Sequence, residues 1–354
     1  MGRLNKISAR LEKAPFDGLL ISSPANISYL LGFTARDAYL LLSKRTAVYF
    51  TDSRYSEEAR QPLRGLASLR QITGQAFKDI ADTCASLKLK RVAFEERCLP
   101  FARYKLLKTE LRRANKGALI PSYGLIEESR MVKEPEEIEH IRKALKITLK
   151  ALDFIRGFIR PGITELDLAG ELERFIRQAG GRGPAFDIIV AFGPNSSRPH
   201  HLTGSRKLKK NEPALIDLGV DYNGYKSDLT RVFFLGKMSV TAKRIYDTVR
   251  RAQENAIERI QPAVEAGSID AAARQYITQK GYGGFFGHNT GHGVGLEIHE
   301  EPKISRGSKT RIKPGMVFTV EPGIYLPGKF GIRLEEMVLT TEKGCEVISG
   351  ALNK

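Results

Sequence analysis

Residues 215–231 have the sequence LIDLGVDYNGYKSDLTR, in which an Asn223-Gly224 pair lies between two runs rich in apolar residues. Asn-Gly between such runs is a strong signal of a β-hairpin. With a loop over residues 221–224, Val220 would pair with Tyr225. Counting outward from that pair, we expect Asp217 to lie directly opposite Asp228.

A second stretch behaves in the same way. Residues 318–339 have the sequence FTVEPGIYLPGKFGIRLEEMVL, with a predicted turn at 327–329. Leu326 would then pair with Phe330, and Glu321 would lie opposite Glu335. Directly opposed strand residues have Cβ atoms about 5 Å apart, where like charges destabilise a sheet. Two such acidic pairs are therefore predicted to be ligands for divalent cations rather than structural elements.

Histidine is concentrated around these hairpins. Five of the six histidines lie between positions 200 and 299, namely His200, His201, His288, His292 and His299. Four carboxylates at close range raise one another's pKa, and two divalent cations would neutralise them. Four carboxylates with one imidazole form a mainly hard ligand set, which favours Mn²⁺, Co²⁺ or Zn²⁺.

Other common active-site motifs are not matched. The glycine-rich run at 291–295, GHGVG, is not GxGxxG and follows no clear strand, so it does not predict a nucleotide site. The run that begins at His299 does not complete HExxH, and the sequence contains no GxSxG.

The first part of the chain alternates short apolar runs with helical patterns, which predicts an α/β domain. The predicted strands are 18–22, 38–43, 46–50, 91–95 and 118–121, and the predicted helices are 54–62, 75–87 and 100–114. Ser23-Pro24 fits a helix N-cap followed by proline at the first helical position.

From Glu134 onward the pattern predicts an α+β domain built on an antiparallel sheet. A long helix carries an apolar stripe from Ile138 to Ile155 and stops before Pro161-Gly162. A second helix begins at Thr164, with Asp167 positioned for a capping box, and a strand follows at 187–193. A helical pair at 241–280 separates the two acidic hairpins.

Composition limits the remaining possibilities. The net charge of +17 is concentrated in residues 1–133, which contain 24 Lys/Arg against 13 Asp/Glu. We interpret the basic stretch 103–116 as the solvated face of an amphipathic helix, since no nucleic-acid-binding motif accompanies it. No stretch approaches the ~18 apolar residues of a membrane span, and no signal peptide is evident. Three scattered cysteines predict a reducing, cytoplasmic location.

Three stretches together resemble the signatures of the pita-bread metallopeptidases, a family that includes Xaa-Pro aminopeptidases, prolidases and methionine aminopeptidases. They are IDLGVDYNGYKSDLTR, NTGHGVGLEIHEEP and FTVEPGIYLPGKFGIRLEE. The resemblance implies a catalytic pita-bread domain over residues 123–354. Residues 1–122 are more weakly similar to the N-terminal creatinase-like domain of the proline-specific members.

The resemblance implies a role for each matching residue. Asp217, Asp228, His292, Glu321 and Glu335 would bind two metal ions, with Asp228 and Glu335 bridging them. A water between the metals would be the nucleophile, and Glu321 its general base. His200 would contact substrate, His288 and His299 would steady the scissile carbonyl, and Arg333 would support the site. His201 would be a bystander.

The function that follows is hydrolysis of the Xaa-Pro bond at the N-terminus of peptides, with manganese as the first choice of metal. A dipeptidase restricted to Xaa-Pro is the alternative. A non-catalytic binding protein on the same fold is a more remote alternative, because such proteins lose ligands and this sequence keeps all five. The resemblance also implies a homodimer, and neither a membrane nor a nucleic-acid partner is expected.

Overall fold

The computed structural model describes residues 2–350, which divide into two compact units between Arg130 and Met131. The boundary between the units lies after Arg130 rather than after residue 122. The reason is that residues of the short helix α6 (Glu127–Met131) form hydrogen bonds with the first unit. Within that unit the Arg130 guanidinium donates to Asn26 Oδ1 at 2.7 Å, and the hydroxyl of Tyr29 donates to the carbonyl of Ser129.

The first unit is a six-stranded mixed sheet with helices, as the alternating pattern predicts. Its strands are β1 (Gly18–Ile21), β2 (Ala38–Ser43), β3 (Ala47–Thr51), β4 (Ser68–Gln71), β5 (Arg91–Glu95) and β6 (Ala118–Ser122), in the order β4-β3-β2-β1-β5-β6. Its other helices are α1 (Arg3–Glu12), α2 (Pro24–Leu31), α3 (Ser53–Arg60), α4 (Ala76–Ser86) and α5 (Phe101–Asn115).

Two features of this unit bear on the predictions. The Ser23 side chain caps α2 by accepting from the backbone N–H of Asn26, as expected. The edge strand β4 was not predicted, because its mostly exposed residues, SLRQ, lack an apolar alternation.

The second unit is α+β, and every strand pairing within it is antiparallel, which confirms the predicted class. Its helices are α7 (Pro135–Ile155), α8 (Glu165–Gln178), α9 (Val240–Glu258) and α10 (Ala266–Gln279). Its strands are β7 (Gly183–Pro184), β8 (Ile189–Phe192), β9 (Pro213–Leu218), β10 (Val220–Tyr222), β11 (Tyr225–Lys226), β12 (Leu229–Phe234), β13 (Gly291–Gly293), β14 (Glu300–Ile304), β15 (Val317–Val320), β16 (Gly323–Leu326), β17 (Phe330–Arg333), β18 (Glu336–Thr341) and β19 (Gly344–Val347).

Local sequence signals explain the helix ends that frame this unit. The predicted capping box at Thr164 and Asp167 is present, with bonds of 3.0 and 3.1 Å between each side chain and the other residue's backbone N–H. The apolar stripe of α7 packs into a core shared with α8, β8 and β9. The strand that carries Asp217 therefore packs on this apolar core, while Val320 and Leu334, next to Glu321 and Glu335, belong to a second apolar cluster.

The first hairpin differs from its predicted register. Asn223 and Gly224 form the whole turn, with φ of 52° and 88°, so Tyr222 pairs with Tyr225. Asp217 consequently lies opposite Thr230, not opposite Asp228. The four-residue loop assumed from the sequence was wrong because two residues with positive φ suffice for a type I′ turn.

The second hairpin has the register predicted for it. Leu326 pairs with Phe330, and the same register continues through Val320 and Glu336 on β15 and β18. Glu321 and Glu335 lie between these two paired segments, where the strands part. Both acids are therefore at a gap in the ladder rather than in its middle.

No helix among residues 2–350 is long and apolar enough to cross a membrane.

Candidate metal centre

Four carboxylates lie at strand ends in the second unit. Asp217 is near the end of β9, Asp228 directly precedes β12, Glu321 directly follows β15, and Glu335 lies between β17 and β18. Asp228 and Glu335 are buried, and only 1% of the Glu335 surface is exposed. Strand ends allow these side chains to turn away from the ladder and towards a common point.

His292 on β13 completes a close cluster. One ligand atom each from Asp228, His292 and Glu335 lies within 4.8 Å of the others, a separation suited to a shared ion. Nδ1 of His292 donates to the carbonyl of Gly293 at 3.2 Å. This bond leaves Nε2 facing Asp228 Oδ2 at 3.5 Å and Glu321 Oε1 at 3.3 Å, the orientation of a metal-binding imidazole.

Two carboxylate oxygens of the cluster are buried without a hydrogen-bond partner. They are Oδ1 of Asp217 and Oε1 of Glu335. A buried, unsatisfied carboxylate oxygen is costly unless something of opposite charge binds it. Oxygen donors of this kind, with one imidazole, fit divalent cations such as Mn²⁺, Co²⁺ or Zn²⁺.

The protein alone leaves a large electrostatic imbalance here. Burial, followed by the charges of neighbouring carboxylates, raises the pKa of both Asp228 and Glu335 well above the usual range. Glu321 differs: burial would raise its pKa, but the hydrogen bond to His292 and that residue's charge lower it to about 2. Glu321 is therefore ionised at neutral pH, and a cation that binds Asp228 and Glu335 competes with protons for their oxygens.

Arg333 on β17 connects the acids to the rest of the site. Its Nη2 donates to Oδ2 of Asp217 at 2.6 Å, and its Nε donates to Oγ1 of Thr230 at 3.0 Å. Thr230 in turn donates to Oε2 of Glu335 at 2.9 Å. One guanidinium thus fixes carboxylates from both hairpins.

His288 is held by neighbours on both sides of its ring. Nδ1 must donate to the carbonyl of Asn289 at 2.7 Å, so Nε2 accepts from the hydroxyl of Tyr325 at 2.8 Å. Burial lowers the pKa of His288, in keeping with a neutral ring. Tyr325 also accepts from Arg333 Nη1 at 3.0 Å. In this arrangement His288 has no free N–H for a substrate carbonyl.

The remaining three histidines of positions 200–299 differ in exposure. His299 is exposed and lies edge-on against His292, with ring centroids 4.3 Å apart. Burial of part of its ring, then the charge of His292, lowers the pKa of His299, and the nearby His200 acts in the same direction. His200 is exposed, whereas His201 is buried and bonds to Oε2 of Glu165 at 2.8 Å.

Sequence reasoning missed three residues that fix the cluster. Thr230 bridges Arg333 and Glu335, Tyr325 bridges Arg333 and His288, and Oγ1 of Thr319 donates to Glu321 at 3.2 Å. Thr230 and Thr319 each lie two residues from an acid, Asp228 and Glu321. On a strand such residues share a face, which was the signal available in the sequence.

Comparison with known proteins places these features in a family. Residues 139–342 match the model of metallopeptidase family M24, and residues 3–132 match the creatinase/prolidase N-terminal domain. An uncharacterized peptidase of Bacillus subtilis is 36% identical over 347 residues, covering 98% of this chain and 97% of the relative.

Solved structures are similar over nearly the whole length. A Xaa-Pro dipeptidase from Bacillus anthracis has a TM-score of 0.94 at 36% identity, covering 99% of this chain and 98% of its own. An X-Pro aminopeptidase from Thermotoga maritima has a TM-score of 0.88 at 36% identity, covering 98% of each chain. The prolidase from Pyrococcus horikoshii has a TM-score of 0.92 at 30% identity, covering 99% of each.

The matched models span both units, and the family is one of metal-dependent peptidases with the pita-bread fold. Its chemistry agrees with the buried acidic cluster and the orphaned carboxylate oxygens described above. This chain belongs to metallopeptidase family M24.

Proposed function

We propose that this chain cleaves the peptide bond before a proline in second position, releasing the N-terminal residue as a Xaa-Pro aminopeptidase. The observation that carries the proposal is the convergence of Asp228, His292 and Glu335 within 4.8 Å beside two unpartnered carboxylate oxygens. Similarity to proteins named X-Pro aminopeptidase and Xaa-Pro dipeptidase supports the substrate class.

We assign two divalent cations to the cluster, with manganese as the first choice. The residues proposed to hold them are Asp217, Asp228, His292, Glu321 and Glu335. When bound, such ions polarise a carbonyl oxygen and lower the pKa of an attacking water. Two ions would also match four carboxylates in charge, and this supports a dinuclear site over a mononuclear one.

The protein's own groups would move the proton and hold the oxygen. We assign Glu321 the transfer of a proton from water and its later return to the leaving amine, because its Oε1 lies 3.3 Å from Nε2 of His292 in the cluster. His299 is exposed beside His292 and can donate to the developing oxyanion. Arg333 keeps Asp217 in place through a 2.6 Å bond.

We give His288 a positioning role rather than a donor role. Its ring is occupied by Asn289 and Tyr325, and Tyr325 is in turn bonded to Arg333. This chain of bonds fixes Arg333 from the side opposite Asp217. His200 is proposed to contact the substrate, as the family resemblance implies.

The first experiment tests the metal-dependent peptidase. Dialysis against chelator should abolish cleavage of a Xaa-Pro peptide, and Mn²⁺ or Co²⁺ should restore it. Glu321→Gln should remove turnover because the amide cannot accept the proton. Full activity in verified metal-free protein would overturn the proposal.

The second experiment counts the ions. Asp228→Asn or Glu335→Gln should lower metal content more than Asp217→Asn, because the first two are proposed to bridge both ions. Metal per chain, measured by elemental analysis of the purified variants, gives the answer. Equal metal content in all three variants would contradict bridging.

A Xaa-Pro dipeptidase is the second candidate, favoured by the names of two similar structures. A dipeptidase needs a cation for the substrate's C-terminal carboxylate, and Arg333 is already bonded to Asp217, Thr230, Tyr325 and Pro199. Arg198 is exposed on the same loop as His200 and is the candidate for that role.

Kinetics on Ala-Pro and Ala-Pro-Ala distinguish the two candidates. We expect the tripeptide to have the higher kcat/KM. A kcat/KM at least tenfold higher for the dipeptide, reduced selectively by Arg198→Ala, would establish the dipeptidase instead. The homodimer and the cytoplasmic location stay predictions.

A further inference from the structure

A single buried carboxylate holds the loop that carries His200. Glu165, at the start of α8, is fully buried, and its two oxygens accept four hydrogen bonds from residues 192–204. Oε1 accepts from the backbone N–H of Phe192 at 2.8 Å and from Asn195 Nδ2 at 2.9 Å. Oε2 accepts from His201 Nε2 at 2.8 Å and from the backbone N–H of Gly204 at 3.1 Å.

The same loop is attached on its other side to the strand that carries Arg333. Ser196 Oγ accepts from the backbone N–H of Gly331 at 2.8 Å, and the carbonyl of Pro199 accepts from Arg333 Nη1 at 3.2 Å. A side chain at Gly331 would meet the Ser196 carbonyl at 2.1 Å, so the two backbones approach closely. His200 follows Pro199 directly and is exposed between the two attachments.

We propose that Glu165 and His201 are positioning residues that fix His200 for substrate, and that His201 is therefore not a bystander. This inference rests on the proposed function, because it takes His200 to be a substrate contact. His201 directly follows His200, and its side chain is hydrogen-bonded to Glu165. Without that bond, the nearest bonds that hold His200 in place are those of Pro199 on one side and of Thr203, which is bonded to Ile188 and Val190, on the other.

The substitutions that test this proposal follow from which groups donate and which accept the hydrogen bonds. In Glu165 each carboxylate oxygen already accepts two bonds, so Glu165→Gln would turn an N–H donor towards two other donors. His201→Ala removes one donor, whereas His201→Gln keeps an N–H able to reach the carboxylate. Glu173→Gln, an exposed residue of the same helix, is the matched control.

The test is a double-mutant cycle on kcat/KM for a Xaa-Pro peptide. Glu165→Gln and His201→Ala should each lower kcat/KM about tenfold, mainly through KM and at unchanged metal content. His201→Gln should recover most of the loss, and Glu173→Gln should have no effect. In the His200→Ala background neither change should lower kcat/KM further, because residues that act through one another are not additive.

Three results would overturn the inference. Full additivity with His200→Ala would mean that Glu165 and His201 act on the fold and not through His200. Wild-type kcat/KM in His201→Ala would mean that His201 is a bystander after all; this variant also tests the proposal if Glu165→Gln does not fold.

Hydrogen exchange at residues 192–204 gives a readout independent of activity. Faster exchange in His201→Ala is expected, and unchanged exchange would refute the attachment. If wild-type protein fails to cleave Xaa-Pro peptides, the proposed function fails, while the exchange result still decides the attachment.

Discussion

Replacing Glu335 by glutamine should stabilise the metal-free protein while removing its capacity to hold metal. Oε2 of Glu335 accepts from Thr230 at 2.9 Å, and a glutamine amide oxygen can keep that bond. The other oxygen is buried without a partner, beside the carboxylate of Asp228. An uncharged amide N–H₂ in its place would remove the charge repulsion between the two side chains.

The size of the effect follows from the geometry. Ligand atoms in the cluster lie within 4.8 Å of one another. At that separation two like charges repel by about 3.5 kcal/mol for an effective dielectric constant of roughly 20. Glu335 relieves part of this by binding a proton, since its pKa is raised. We therefore expect a gain of about 1–3 kcal/mol, which for a unit of this size corresponds to roughly 2–10 °C in Tm.

The stability gained by Glu335→Gln in chelator should depend on pH in a definite direction. A carboxyl whose pKa is raised on folding binds its proton more tightly in the folded state, so stability falls as pH rises above its unfolded pKa. Glutamine does not titrate, so its advantage in chelator should be larger at pH 8 than at pH 5. Thermal unfolding of both proteins in chelator, with Glu173→Gln as control, measures this.

Two results would refute this reasoning: a Tm for Glu335→Gln below that of the wild type in chelator at pH 8, or a Tm gain at pH 5 larger than the gain at pH 8. Excess Mn²⁺ should reverse the order, because the wild type gains more stability from metal binding than a variant that lacks one ligand.

Three further predictions address the ions, the histidines and the basic helix. Mn²⁺ affinity, measured by calorimetry, should rise between pH 5 and pH 8, because the cation displaces protons from Asp228 and Glu335; a pH-independent affinity would contradict the raised pKa values. His299→Ala should lower kcat roughly 10²-fold at unchanged metal content, the cost of a lost oxyanion donor, and loss of metal would instead make it a ligand. Neutralising three basic residues of α5 together should leave peptidase kinetics unchanged; the residues are Arg103, Lys105 and Arg112. A loss of activity in this variant would place that helix in the active site.

Local signals in the sequence predicted most of the elements. Short apolar runs located five of the six strands of the first unit, and the Thr164 capping box located the start of α8. The second hairpin register was correct because its three-residue turn is marked by Pro327 and Gly328. The first was wrong because an Asn-Gly pair does not by itself reveal whether two or four residues form the loop.

Long-range contacts could not be obtained in this way. Nothing in the local pattern indicates that Tyr325 bonds His288, or that Glu165 accepts a bond from His201. Both contacts join residues more than thirty positions apart, and both depend on how separate strands and helices pack. The sequence therefore predicted which side chains could bind metal or substrate. The fold determined which of their atoms are already used in hydrogen bonds.

The placement of the four acids also bears on how the chain folds. Each hairpin brings together only two of them, Asp217 with Asp228 and Glu321 with Glu335, through contacts that are short in sequence. All four acids come together only when the hairpins, separated by α9 and α10, pack against each other, and closing that long loop is intrinsically slow. Each hairpin, when it forms, therefore carries the repulsion within one acidic pair, and the repulsion between the two pairs is added when the hairpins meet. Divalent cations present during refolding should act on this late assembly step, after the individual hairpins have formed.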